Sequence, residues 1–320
     1  MATPKKTTKR KWWPLAQRIL TIAFLLLVAG LIASRARAIE WDQVLESLRN
    51  YRGLTLVLAA AFAAASYLVY SCFDLLGRAY TRHAIPRLRV MAIAFVSYSF
   101  NLNLGATIGG VGFRFRLYSR AGLRRGLIAR IIVLSLTTNW LGICFLTGAV
   151  FVFSIIPLPQ AWGLGATGLQ LVGALLLAAV ASYLLFCVLA RRRSWHVRHV
   201  HLELPPVQMA FGQLALSSLN WLLVTGVMFV LLRQQIAFPT VMGVLLTSSF
   251  AGIVIRIPAG LGVIEAVFLA LLSRQMAQTE LLAALFAYRA IYYLGPLLLG
   301  IATYLLLEGR LKRSAGAARI

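Results

Sequence analysis

The sequence predicts an all-α polytopic membrane protein with six transmembrane helices and two opposed re-entrant hairpins, arranged as an inverted repeat. Three observations carry this. The 320 residues are 60% hydrophobic and 12% charged, about half the charged share of an ordinary soluble chain. Apolar runs of spanning length recur along the whole chain. The 32 Lys and Arg, set against 8 Asp and Glu, collect between those runs. A net charge of +24 would suggest nucleic acid in a soluble chain. Binding nucleic acid needs a water-facing basic domain, however, and no stretch is long enough to fold as one. Ordinary cytosolic enzymes and nucleic-acid partners are therefore excluded.

A spanning helix needs roughly 20 mostly apolar residues. Leu15–Ala33, Leu54–Leu76, Leu127–Ile156, Leu169–Ala190, Val207–Leu232 and Leu281–Leu307 meet that length. The first has the basic flank of a signal peptide, but its apolar run is longer than a typical signal core, so it reads as a retained anchor. Residues 1–14 form a basic cytoplasmic tail, and 308–320 form another. Two further apolar segments, Val90–Gly112 and Val241–Leu272, are interrupted by Gly109-Gly110-Val111-Gly112 and Pro258-Ala259-Gly260-Leu261-Gly262. Glycine and proline break a helix. Broken backbone is tolerated at membrane depth only where protein or a water-filled cavity satisfies it.

Cations decide the orientation, because cytoplasmic loops carry the excess of Lys and Arg. Five regions hold 24 of the 32: the amino-terminal tail, 78–89, 114–130, 191–206 and the carboxy-terminal tail. Val90–Gly112 is flanked by basic regions on both sides and should enter and leave from the cytoplasm. Val241–Leu272 is flanked by cation-poor loops and should enter and leave from the outer side. Both termini are then cytoplasmic. An eight-crossing alternative also puts both termini inside, but it leaves the six arginines of 114–130 outside.

A shift of 150 places Ser99-Phe100 on Ser249-Phe250, Gly110 on Gly260 and Gly112 on Gly262. The same shift roughly superimposes the flanking spans, giving a first repeat over 15–156 and a second over 157–307, each span, span, hairpin, span. Three crossings per half invert the second half, a recurring transporter plan. Residues 39–52 have no counterpart in the second half. They place Trp41, Val44, Leu45, Leu48 and Tyr51 on one face and read as an amphipathic helix on the outer surface.

Ionisable residues at bilayer depth cost at least about 2.5–3.5 kcal/mol on insertion scales and are functional candidates by default. Asp74 pairs either with Arg78 at the helix end or with a charge inside the membrane. Arg114 and Arg116 follow the first glycine turn, and would splay apart if that segment were helical. They are either topology determinants or a lipid-phosphate site, with Gly110 and Gly112 permitting close backbone approach. Glu265 follows Gly262 and is either a helix-start carboxylate or part of a charge network with Asp74, Arg256 and Arg289. Gly109, Pro258, Gly260 and Gly262 are the expected hairpin turns. Asn139 and Asn220 read as helix–helix glue. His196, His199 and His201 lack acidic or cysteine companions, and Cys72, Cys144 and Cys187 are scattered among the spans. Neither set suggests a metal centre. No phosphate-binding loop or hydrolase motif is present in the sequence, and no cofactor is expected.

Several of these stretches resemble the YbhN-type inner-membrane proteins. They are Ser66-Tyr67-Leu68 through Leu76, Gly109 through Arg120, Thr137-Thr138-Asn139-Trp140-Leu141-Gly142, Ile257 through Phe268, and Ala287-Tyr288-Arg289. The wider family is similar to the flippase-like transmembrane region of lysylphosphatidylglycerol synthases. The family's proline-glycine-glycine turn stands here as Pro258-Ala259-Gly260. The resemblance implies a lipid translocase of the bacterial inner membrane acting on a phospholipid or other charged lipid. Its partners would be anionic headgroups, with a lipid-synthesis enzyme or an energising protein as further candidates. The chain ends at Ile320 without the soluble aminoacyl-transfer domain, so no enzyme activity is expected. An integral membrane enzyme on a lipid-linked substrate and a non-transporting scaffold are the alternatives.

Overall fold

Residues 53–81 are dominated by Ala, Leu and aromatic side chains, with no proline, and form one helix of 29 residues. At about 1.5 Å per residue it outspans a hydrocarbon core of about 30 Å. Its buried positions, Ala59, Ala63, Ser66, Tyr70, Phe73, Asp74 and Gly77, recur at helical spacing and make a single inward stripe. The computed structural model describes residues 41–155, 165–190, 194–197, 200–255 and 262–317. Within them the order is α1 (Trp41–Arg49), α2 (Gly53–Thr81), α3 (Arg87–Leu104), a π-helical turn Ala106–Gly112, α4 (Phe113–Arg120) and α5 (Arg125–Val152). Then come α6 (Ala166–Leu189), strands β1 (Ser194–Val197) and β2 (Val200–Glu203), and α7 (Val207–Leu231). The chain continues with α8 (Phe238–Ile255), α9 (Val263–Leu272), α10 (Gln278–Tyr288), a second π-helical segment Arg289–Leu294, and α11 (Gly295–Ala317).

Five helical stretches among the described residues are long and apolar enough to cross a membrane: 53–81, 125–152, 167–189, 207–231 and 278–309. The expected first span, Leu15–Ala33, lies outside the described residues. The loop expected at 191–206 instead contains a short antiparallel hairpin, Ser194 facing Glu203 and Val197 facing Val200. It is a small addition to an otherwise helical protein.

Both broken segments fold back on themselves. In the first, α3 stops at Asn101–Leu104 and the chain reverses at Gly105, whose φ of +84° favours glycine. The reversal therefore sits four residues before the expected turn at Gly109. Gly109 has a different task. A Cβ there would collide with the backbone of Phe100 and Asn101, so the returning chain lies directly on α3. The stacked rings of Phe100 and Phe113, 4.0 Å apart, continue that contact into α4. In the second segment α8 packs on α9, which begins after Gly262 at φ +79°.

The halves meet along α2 and α7, the most extensively packed helix pair. Ser66 Oγ donates to Asn220 Oδ1 across that seam at 2.9 Å, so Asn220 does act as glue between helices. Each hairpin leans on the last long helix of the other half. Gly300 of α11 lets Ser99 of α3 approach, and Trp140 of α5 meets Phe250 of α8 edge-on. Small residues close the remaining contacts. A Cβ on Gly142 of α5 would lie 2.6 Å from the Ser217 carbonyl carbon of α7, and one on Gly173 of α6 would lie 2.8 Å from the Gly148 oxygen of α5. Such residues let backbones approach where lipid supplies no hydrophobic drive between helices. Outside the seam, Tyr51, which follows α1, donates to the Leu231 carbonyl at 2.6 Å and sits under the Arg233 guanidinium. This ties the surface helix α1 to the end of α7.

Gly109→Ala is expected to lower stability by about 1–3 kcal/mol, the usual cost of overpacking. Gly126→Ala, in the first turn of α5 with no atom within 4 Å, is expected to be neutral or stabilising. Thermal unfolding of the two variants in the same detergent would compare them directly.

Candidate functional site

Helical geometry decides the fate of the two arginines after the first hairpin. Residues two apart on a helix point to nearly opposite sides, and α4 separates Arg114 from Arg116 in this way. Arg114 is 1% exposed and faces α2. Its Nε lies 3.2 Å from both oxygens of Asp74, and its Nη2 lies 3.1 Å from Oδ1. The same Nη2 donates to Ser135 Oγ at 3.1 Å and to the Tyr70 hydroxyl at 3.4 Å. Tyr118 donates to Asp74 Oδ2 at 2.9 Å. Asp74 is fully buried. This carboxylate is therefore saturated by donors from α4, and the guanidinium is occupied from α2 and α5. Asp74 does not pair with Arg78, whose Nε donates to the Ile85 carbonyl.

Arg116 lies on the exposed side. Its Nη2 is 3.0 Å from Glu308 Oε1, which Arg120 also engages, and its guanidinium covers the Tyr304 ring. Two cations thus share one carboxylate of α11, leaving a net positive cluster. The expected shared placement of Arg114 and Arg116 in one cavity wall does not occur, because the helix turns them apart.

The second hairpin has a pair of its own. Glu265 sits in the first turn of α9, with Arg289 at the start of the second π-helical segment. Arg289 Nε is 2.8 Å from Oε1 and Nη2 is 3.2 Å from Oε2, a two-pronged contact. The side chains are 14% and 22% exposed, against 2% and 0% for Arg114 and Asp74. The second pair is the more exposed of the two. Asp74, Glu265 and Arg289 were expected in one network; they form two separate pairs instead. Arg256, Pro258 and Gly260 lie outside the described residues.

Between the pairs runs a chain of tyrosines. Arg289 lies 5.0 Å from the Tyr293 ring centre. Tyr293 packs on Tyr292, whose hydroxyl is 2.9 Å from that of Tyr98 and 2.8 Å from Ser66 Oγ. Tyr98 stacks on Tyr70 at 3.6 Å, beside Arg114. A π-helical turn changes the backbone hydrogen-bond pattern, and two of its carbonyls accept from neighbours. Tyr67 donates to the Tyr292 oxygen at 3.1 Å, and Asn103 to that of Tyr293 at 3.3 Å. Tyr98, Tyr118 and Ser135 are not singled out by the sequence alone. A signal existed for Tyr98, which falls in an apolar helix one position from Ser99.

The model of the lysylphosphatidylglycerol synthase transmembrane region matches residues 18–300. The chain belongs to this family. It is 42% identical over 302 residues to the inner membrane protein YbhN of Escherichia coli (strain K12), covering 94% of this chain and 95% of that one. Protein slr0712 of Synechocystis is 29% identical over 315 residues, covering 94% and 96%. The phosphatidylglycerol lysyltransferase of Staphylococcus haemolyticus is 25% identical over 289 residues, 88% of this chain but 32% of that longer enzyme. Together with the apolar helices, these matches make the chain a multi-pass inner-membrane protein of the family.

Removing one partner of a buried ion pair leaves an uncompensated charge and costs about 3–5 kcal/mol, whereas replacing both by apolar residues can be neutral. Arg114→Met is accordingly expected to destabilise strongly. The double variant Arg114→Met with Asp74→Leu should recover most of the loss, as read by unfolding in detergent.

Proposed function

We propose that this protein moves a phospholipid or other anionic lipid between the leaflets of the inner membrane. The observation that carries the reading is the inequality of the two ion pairs. The Asp74–Arg114 pair is buried, with both Asp74 oxygens and the Nε and Nη2 of Arg114 engaged, and anchors the first hairpin to α2. The Glu265–Arg289 pair is similar in geometry but half-open, at a place where both α9 and the last span break. A charged headgroup crossing a bilayer needs a polar path that can exchange partners, and a partly exposed ion pair beside interrupted helices suits that role. A phosphate oxygen would compete with Glu265 for the fork of Arg289, whose planar donors suit it.

Arg116 and Arg120 take the recruiting role in this scheme. They share Glu308 at the membrane surface, so a lipid phosphate meets a net positive charge there. Gly110 and Gly112 serve the fold of the hairpin, Gly110 by admitting Asn101 at 3.0 Å from where its Cβ would be. With the cation-rich loops inside, both termini are cytoplasmic, and the two hairpins enter from opposite sides as inverted halves. The distant lysyltransferase relative bears on the lipid class through the phosphatidylglycerol in its name. Transport would be passive, ion-coupled or driven by a partner.

The test is leaflet exchange of labelled phosphatidylglycerol in liposomes holding the purified protein. Wild type is expected to accelerate exchange without altering the lipid. Glu265→Gln and Arg289→Ala should each slow it by tenfold or more, about 1.4 kcal/mol in barrier. Unchanged exchange in both variants would remove the assignment of the second pair, and a chemically modified lipid would point to an enzyme instead. Orientation is checked separately with a cysteine at position 121 in a chain lacking the three native cysteines. A membrane-impermeant thiol reagent should label it from the cytoplasmic side alone.

A further inference from the structure

A cleft of about 680 Å³ opens on the side of the protein between α2, α3 and the start of α11. It lies within the usual range for ligand pockets, about 300–1,000 Å³. Small residues make the space: Ala60, Ala63 and Ala64 on α2, Ala92 on α3, and Ala290 and Gly295 around the second π-helical segment. Leu68 and Leu299 form its rim and are 60% and 64% exposed, so the cleft is continuous with the hydrocarbon-facing surface of a multi-pass protein.

The chemistry of the walls selects the occupant. Only two lining side chains, Tyr67 and Ser71, carry a hydroxyl. Tyr67 donates to the Tyr292 carbonyl, and Ser71 donates to the Tyr67 carbonyl. Neither hydroxyl has its proton free for a ligand, and no charge lines the cleft. An anionic headgroup finds neither a cation nor a free proton among these lining residues. Along α2 the cleft runs from Ala60 to Ser71, about 16 Å at the helical rise of about 1.5 Å per residue. That is about half of a hydrocarbon core of about 30 Å, the depth of one leaflet's chains.

We propose that this cleft is an acyl-chain site, holding one hydrocarbon tail of a membrane phospholipid while its headgroup is handled elsewhere. The proposal deepens the lipid reading above and rests on lipid being the ligand, not on its being moved. The second π-helical segment links the two functions. It begins with Arg289, in the half-open ion pair, and its next two residues, Ala290 and Ile291, wall the cleft. Headgroup and tail would thus meet opposite faces of one interrupted helix.

The probe is phosphatidylglycerol with a photoactivatable diazirine midway along one chain, added to nanodiscs of phosphatidylethanolamine and phosphatidylglycerol containing the whole protein. After illumination, peptide mapping should show adducts on Met91, Phe95 and Ile291 several-fold above those on the lipid-facing Leu54, Val57 and Leu305. Ala64→Trp, on the exposed wall of the cleft, should abolish the excess, as should Ala60→Trp one turn away. Ala61→Trp, exposed on the same helix but outside the cleft, should leave it intact. Diacylglycerol with matching chains should compete, and soluble glycerophosphate should not. Equal labelling of cleft and surface, absence of label because another segment or a second copy covers the cleft, or insensitivity to both plugging variants would each overturn the proposal. Labelling is an equilibrium reading, so it stands or falls apart from the leaflet-exchange result.

Discussion

Hydrocarbon offers no hydrogen-bond partner, and that constraint shapes nearly every polar contact in this protein. Hydroxyls within the helices donate to the carbonyl one turn back, as in Ser71, Ser99, Thr138, Thr225, Ser248 and Ser249. The interrupted stretches need more, because a broken helix exposes carbonyls. Tyr67 and Asn103 reach the carbonyls of the second π-helical segment from two other helices. Charges are the extreme case. Asp74 and Arg114 are buried as a pair, and Tyr118, Ser135 and Tyr70 supply further hydrogen bonds that offset the cost of that burial.

From this follows an asymmetry between the two glycine-broken segments. Arg114 and Glu265 each lie in the first turn of the helix that follows a glycine-rich break. They carry opposite charges, and each pairs within its own half. One pair is buried, and the other is partly exposed and sits at the start of α9 and of the second π-helical segment. The proposed lipid transport has to present a polar path and then withdraw it, which needs one fixed element and one that yields. The first hairpin suits the fixed part, and the second suits the yielding part. The tyrosines joining them run through the seam between the halves, so a change at one pair has a physical route to the other through Tyr292 and Tyr98.

Much of this was legible in the sequence because its signals are local. Spanning lengths follow from apolar runs, and the fold-back of both segments follows from their glycines. The pairing of Glu265 with Arg289 follows from the need to neutralise a buried arginine. What was not legible depends on distances between elements. The reversal fell at Gly105 because the positive φ lies there, while Gly109 was reserved for contact with Phe100. Sequence alone leaves Asp74 open between Arg78 and a charge inside the membrane, and only the continuation of α2 to Thr81 places it well inside the helix. Ser135 and Tyr118 have no charge to announce them, and their role appears only when α5 and α4 are brought against α2.

The central claim is that the second hairpin yields while the first is locked. Hydrogen–deuterium exchange of the protein in lipid nanodiscs reads this directly at backbone amides. The account predicts slow exchange across 113–120, faster exchange across 262–272, and a further rise in 262–272 alone when Glu265 is replaced by Gln. Equal protection of the two arms, or a rise in 113–120 on that replacement, would contradict it.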